Sequence, residues 1–192
     1  MTPDRIWNIL AEAAYNPRAR NWTVQGFGML RCYLDNDLSD RLHVWTNALR
    51  VQGVSDIHTH PWDFGSMVLA GRLINKRYEE VSPHTEYSSA YFRRLIKPGE
   101  ATQLEPDQRV WLRPIRDDHV HTNRYYNQKY TEIHRTLFDE GTVSVVSRDR
   151  GDLPDTAFTY FRRTWGSAKP RKALPEEVEA AVAVAFKARA AC

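Results

Sequence analysis

Between Gly26 and about Val146 the chain is a succession of short segments with alternating side-chain character, separated by turn residues. That pattern restricts it to a β-sandwich or barrel. The alternation is plainest in Leu42, Val44, Thr46, Ala48 and Arg50, whose opposite face carries His43, Trp45, Asn47, Leu49 and Val51. Strand side chains repeat with period two, so each segment presents two distinct faces. The predicted strands are Phe27–Leu34, Leu42–Val51, Ser66–Ile74, Tyr91–Ile96, Arg109–Leu112, Tyr130–Leu137 and Thr142–Val146. Asp35-Asn36-Asp37, Pro98-Gly99, Pro106-Asp107 and Asp139-Glu140-Gly141 supply turn chemistry between them.

Helical patterns flank this region. At the N-terminus, over about 3–15, Thr2 is placed as a cap, Pro3 suits the first turn and Asp4 the positive end of the dipole. Ile6, Ile9, Leu10 and Ala13 then share a face, and Pro17 ends the helix. At the other end, Pro175 to roughly Ala191 reads as a helix with acids first and Lys187 and Arg189 late. Its apolar stripe of Val178, Ala181, Val182 and Phe186 is suited to packing on the barrel. The stretch from Gly151 to about Leu174, with Pro154, Pro170 and a basic cluster, reads as an irregular surface tail. A length of 192 residues fits one domain, 1–192, with its barrel core at about 26–147 and a C-terminal tail and helix at about 151–192.

The net charge of +3 is too small to argue for nucleic acid, and no run is long and apolar enough to span a membrane. Cys32 and Cys192 form neither a disulfide framework nor a metal-ligand spacing, and the N-terminus lacks the apolar stretch of a signal peptide. A reducing, cytoplasmic setting is the expectation.

The chemistry-bearing feature is Ile57-His58-Thr59-His60-Pro61-Trp62. A His-x-His pair on a strand aims both imidazoles at one face, and a third His from a distant strand completes a facial set of nitrogen donors. His119 is the predicted third ligand. His121 shares its face parity and is the rival. His84, in a polar turn, is expected to be exposed, and His43 to face solvent or a hydrogen-bond partner.

With Gly53 before the pair and Gly71 after it, this segment resembles the first motif of the cupin superfamily. Pro114, His119 and Asn123 resemble the second. The resemblance covers roughly residues 27 to 147 and implies a mainly β, double-stranded β-helix barrel with N-terminal and C-terminal helices outside it. Phe64 stands where many cupins carry a glutamate ligand, and strand period points the adjacent Asp63 to the other face. Arg116 and Gln108 stand where glycines are common in the second motif. Three histidines and no carboxylate resemble the thiol dioxygenase branch, the relatives of cysteine dioxygenase. In that branch an Arg at the position of Arg31 binds the substrate carboxylate, and a His at the position of His134 acts on the bound substrate or oxygen. Thr136 stands where that branch has a Tyr. Phe64, Trp62 and Tyr33 are the further candidates for lining the substrate pocket.

The resemblance thus implies a mononuclear non-haem Fe(II) dioxygenase acting on a small anionic substrate, for which a thiol such as cysteine or a mercapto acid is a candidate. Its metal ligands would be His58, His60 and His119. The alternatives are an oxygen-independent cupin isomerase, lyase or hydrolase using Zn, Mn or Ni, and a metal- or ligand-binding cupin without turnover. The expected partners are the small substrate and O2, with no nucleic acid or membrane, in a monomer or homodimer.

Overall fold

The computed structural model describes residues 2–35, 38–97, 102–149, 151, 153–162 and 169–191. The predicted turn residues Asn36, Asp37, Pro98 and Gly99, and Cys192, lie outside the described residues.

Two antiparallel sheets face each other. One runs in the order β10 (Tyr125–Gln128), β5 (Asp63–Ala70), β12 (Val143–Asp149), β3 (Asp40–Arg50), β2 (Phe27–Tyr33), β1 (Thr23–Gln25) and β14 (Arg171–Lys172). The other runs β13 (Ala157–Phe161), β4 (Ile57–His58), β11 (Ile133–Phe138), β6 (Arg72–Val81), β9 (Gln108–His121), β7 (Ser89–Lys97) and β8 (Thr102–Gln103). A further pairing of β13 with β7 closes six strands of this second sheet into a ring, which removes two open edges. The fold is mainly β, a cupin-type barrel with a helix at each end of the chain.

Alternation sorts the first sheet's side chains. Leu30, Cys32, Leu42 and Val44 point outward into a core shared with both helices. Phe27, Met29, Arg31 and Tyr33 on β2, and Arg41, His43 and Trp45 on β3, point inward and line a cavity. Helix α1 (Pro3–Tyr15) contributes Ile6, Trp7, Ile9, Leu10 and Ala13 to the outer core, and α2 (Pro175–Ala190) contributes Val178, Ala181, Val182 and Ala185. The rings of Trp7 and Phe186 lie 5.6 Å apart where the helices meet. Thr2 has extended backbone angles at the start of α1, but its side chain makes no capping bond. In α2 that task falls to Glu177, whose Oε2 accepts the Leu174 N–H at 2.9 Å. The Cys32 thiol, in the outer core, is pushed up to about 12 by burial and is inert at neutral pH.

Three element boundaries differ from the sequence pattern for identifiable reasons. The predicted strand Ser66–Ile74 breaks at Gly71, whose φ of +74° suits only glycine comfortably. The short strand predicted at Arg109–Leu112 extends through His121. Its charged second half is held by side-chain pairs to β6: Asp117 to Lys76 at 3.3 Å, Asp118 to Arg77 at 2.6 Å, and Arg113 to Glu79 at 2.5 Å. The stretch 151–174 is not an irregular tail throughout. It contains β13, which buries Ala157, Tyr160 and Phe161 and pairs with both β4 and β7.

Candidate metal centre

His58 ends the two-residue strand β4, seated between β11 and β13, with His134 opposite it on one side and Thr159 on the other. His60 lies two residues on, where the Thr59 N–H donates to the Phe158 carbonyl at 2.9 Å and keeps the segment extended beside β13. The three imidazoles of His58, His60 and His134 face one another. Ring centres are 4.7 Å apart for His58 and His60, 4.8 Å for His58 and His134, and 5.0 Å for His60 and His134. One nitrogen from each forms a set lying within 4.8 Å, a group that could hold a metal ion.

The surroundings assign the tautomers. His58 Nδ1–H donates to the Asp56 carbonyl at 3.1 Å, leaving its Nε2 lone pair for the cluster. His134 Nδ1–H donates to Asn75 Oδ1 at 2.7 Å; Asn75 Nδ2 in turn donates to Gln128 Oε1 at 2.9 Å, and Gln128 Nε2 to the Glu132 carbonyl at 3.2 Å. Asn75 and Gln128 are almost fully buried, so this relay is fixed. A hydrogen bond at the far ring nitrogen is how ligand histidines are oriented. The Nε2 atoms of His60 and His134 are 2.9 Å apart. With His134 Nδ1 protonated, this contact is a hydrogen bond in which His60 Nε2–H donates to His134 Nε2. Burial, then the neighbouring positive groups, hold His60 and His134 well below the ordinary histidine value, and burial also lowers His58. All three are therefore neutral and able to donate.

His119 is not part of this cluster. It lies on β9 opposite Ile74, exposed, while Val120 beside it is buried; His121 is likewise exposed. The flanking run Arg113 to Asp118 belongs to the solvated face of a long strand. His134, expected to stand apart from the ligands and act on the substrate, instead supplies the third nitrogen of the cluster. Its neighbours Ile133, Leu137 and Phe138 are the signal that the sequence offered, an apolar strand pointing inward. Pro114 and Asn123 are exposed and do not line the cavity that the pair faces. His84 is exposed, as expected from its polar turn.

Phe64 is buried, with its ring 4.8 Å from that of His60 and 6.2 Å from that of His134. Asp63 points away, accepting from Lys129 Nζ at 2.6 Å and from the Tyr130 N–H at 2.8 Å. Among the described residues no carboxylate joins the cluster.

A cavity of about 320 Å³ opens from the histidines between the two sheets. Arg31, Tyr33, Trp62, Phe64, His134 and Thr136 all line it, as does His43, expected to face solvent or a hydrogen-bond partner; Arg41 and Arg148 also line it, and the sequence reading did not single them out. The signal for Arg41 and His43 was their parity with Trp45 on β3. Arg31 Nε donates to Thr23 Oγ1 at 3.2 Å, and Arg41 Nη2 to the Tyr33 hydroxyl at 3.2 Å. Burial would raise the Tyr33 phenol, but the charges of Arg41, Arg31 and Arg148 outweigh it and lower the value. The Trp62 ring lies 5.7 Å from that of His60, and the Arg41 and Arg148 guanidiniums each lie 4.7 Å from its centre.

Fold and site together define a β-barrel protein with a buried three-histidine group able to bind a metal. No family model matches the sequence, and no curated protein matches it.

Proposed function

We propose that this protein is a metal-dependent enzyme of the non-haem iron dioxygenase kind, acting on a small anionic substrate. The observation that carries the reading is a carboxylate-free set of three neutral imidazoles opening onto an arginine-lined cavity. Fe(II) held by His58, His60 and His134 would supply redox chemistry and open coordination positions. Three neutral ligands leave the ion's charge undiminished, which favours an anionic donor such as a thiolate or enolate. Arg31 and Arg41 would orient the anionic end of the substrate, and fixed orientation removes much of the entropic part of a barrier. Phe64 and Trp62 would exclude water beside the histidines. The Tyr33 hydroxyl, with its lowered pKa, would hold or release a proton at its oxygen.

The test is metal analysis of protein loaded anaerobically with Fe(II), followed by oxygen-electrode assays with a panel of small thiols and other small anions, carboxylates and phosphate esters among them. Near-stoichiometric iron and substrate-dependent oxygen uptake are expected. Iron that does not bind, or binds with no oxygen uptake on any thiol or other small anion, would overturn the reading. Stoichiometric Zn, Mn or Ni without oxygen dependence would assign the site to isomerase, lyase or hydrolase chemistry instead.

A further inference from the structure

We infer that the group recognised by the arginine wall is a compact doubly charged oxyanion, so that the substrate is a small phosphate-bearing molecule. The inference rests on the proposed reading of the cavity as a substrate site and specifies what that substrate carries.

Arg31 and Arg41 are 9% and 7% exposed. Among the described residues neither has a salt-bridge partner; their described side-chain bonds go to the neutral oxygens of Thr23 and Tyr33. Arg41 Nε and His43 Nε2 are buried at the cavity with no hydrogen-bond partner among the described residues. Buried charges and buried donors are ordinarily paired, because leaving them unpaired carries the full cost of desolvation. Here the missing partner is an anion.

Its form follows from how tightly the cations are grouped. The guanidinium carbons of Arg31 and Arg41 lie 5.4 and 5.0 Å from the centre of one ring, that of Tyr33. That of Arg41 also lies 4.7 Å from the centre of the Trp62 ring. A dicarboxylate carries its charges at two separated points. A monocarboxylate offers one charge and two oxygens, enough for one guanidinium fork. A phosphate monoester concentrates nearly two charges on three acceptor oxygens within a single tetrahedron, which matches two guanidiniums without a salt-bridge partner among the described residues, brought to one ring from β2 and β3. The Tyr33 hydroxyl and a His43 Nε2–H tautomer add neutral donors on the same wall. The cavity is only large enough for a small molecule beyond this group.

Calorimetric titration of the full zinc-loaded chain with inorganic phosphate, succinate and acetate at one ionic strength tests this. Phosphate should bind at least about tenfold more tightly than either carboxylate, the worth of one charge-assisted hydrogen bond. Arg41→Gln and, independently, Arg31→Gln should each remove that preference. His134→Ala should abolish metal binding yet keep phosphate binding, so a failure of the metal reading is seen separately. Acetate or succinate binding as well as phosphate, no phosphate binding, or a preference that survives in whichever arginine variant folds would overturn the inference.

Discussion

At the scale of single residues, His134 and Asn75 decide whether the metal centre exists. Replacing His134 by Ala should reduce bound zinc or iron from near one equivalent to a trace, whereas His119→Ala should leave it unchanged; metal analysis after dialysis separates the two. Asn75→Leu leaves every ligand in place but frees the His134 ring and its tautomer. Loss of such an outer partner lowers metal affinity about 10- to 100-fold, which competition with a chromophoric chelator would measure. His58 and His60 could be picked out from the sequence by their His-x-His spacing, and Arg31 and Phe64 by the positions they share with the resembled family. The third member of the histidine cluster could not, because His119 and His134 both follow the pair at plausible distances. What separates them is burial: one stands among Arg116, Asp117 and Asp118, the other beside Ile133. Arg41 escaped notice, and His43 was expected to face solvent or a hydrogen-bond partner, because a charged or polar residue alternating with Trp45 reads equally well as a solvated face. Only the closure of the second sheet over them makes that face an interior.

At the scale of elements, the turn at which the chain passes from β5 in one sheet to β6 in the other depends on Gly71. A Cβ there would lie 2.5 Å from Thr142 Oγ1, and the φ of +74° adds backbone strain for any other residue. The same hydroxyl donates to the Asp139 carbonyl at 2.7 Å and accepts the Arg72 N–H at 3.2 Å, so displacing it unlocks the neighbouring turn as well. Gly71→Ala should cost about 2 kcal/mol or more, read as a lowered urea midpoint with an unchanged slope. Most strands could be foreseen from alternation and turn residues. β13 could not, because Pro154 and Pro170 frame it as a loop, although Ala157-Phe158-Thr159-Tyr160-Phe161 has the β-branched and aromatic make-up of a strand. The terminal helices were readable from their apolar stripes, which the first sheet's outer face covers.

At the scale of the whole molecule, the buried histidines make stability depend on pH. Burial, then Arg41 and Arg31, hold His43 well below its ordinary value, and His60 and His134 are lowered in the same sense. The folded state keeps them neutral while the unfolded chain takes up protons near pH 6.5. Unfolding therefore consumes protons below that value, and stability falls as the pH is lowered through it. His43 alone contributes a slope of up to about 1.4 kcal/mol per pH unit. Urea midpoints of metal-free protein should be flat above pH 7 and decline between pH 6.5 and 5.5, and His43→Gln should reduce the decline. Midpoints that hold steady over that interval would contradict this. Further down, Asp107, held below the usual carboxylate range by Arg94, and Glu177, held there by Arg171, add stability present above their ordinary values and lost as pH falls through the lowered ones.

The seating of β4 between β11 and β13 also sets an order of events during synthesis. His58 and His60 emerge early, but their flanking strands are completed only when the chain reaches Phe161. At ordinary rates of translation the pair waits roughly 5–20 s for its neighbours. During that interval a nascent chain can offer an ion two imidazoles on an unpaired segment, not three in a walled cavity. Any choice of ion would thereby be deferred until the barrel has shut, when shape and charge, rather than first arrival, would decide what stays.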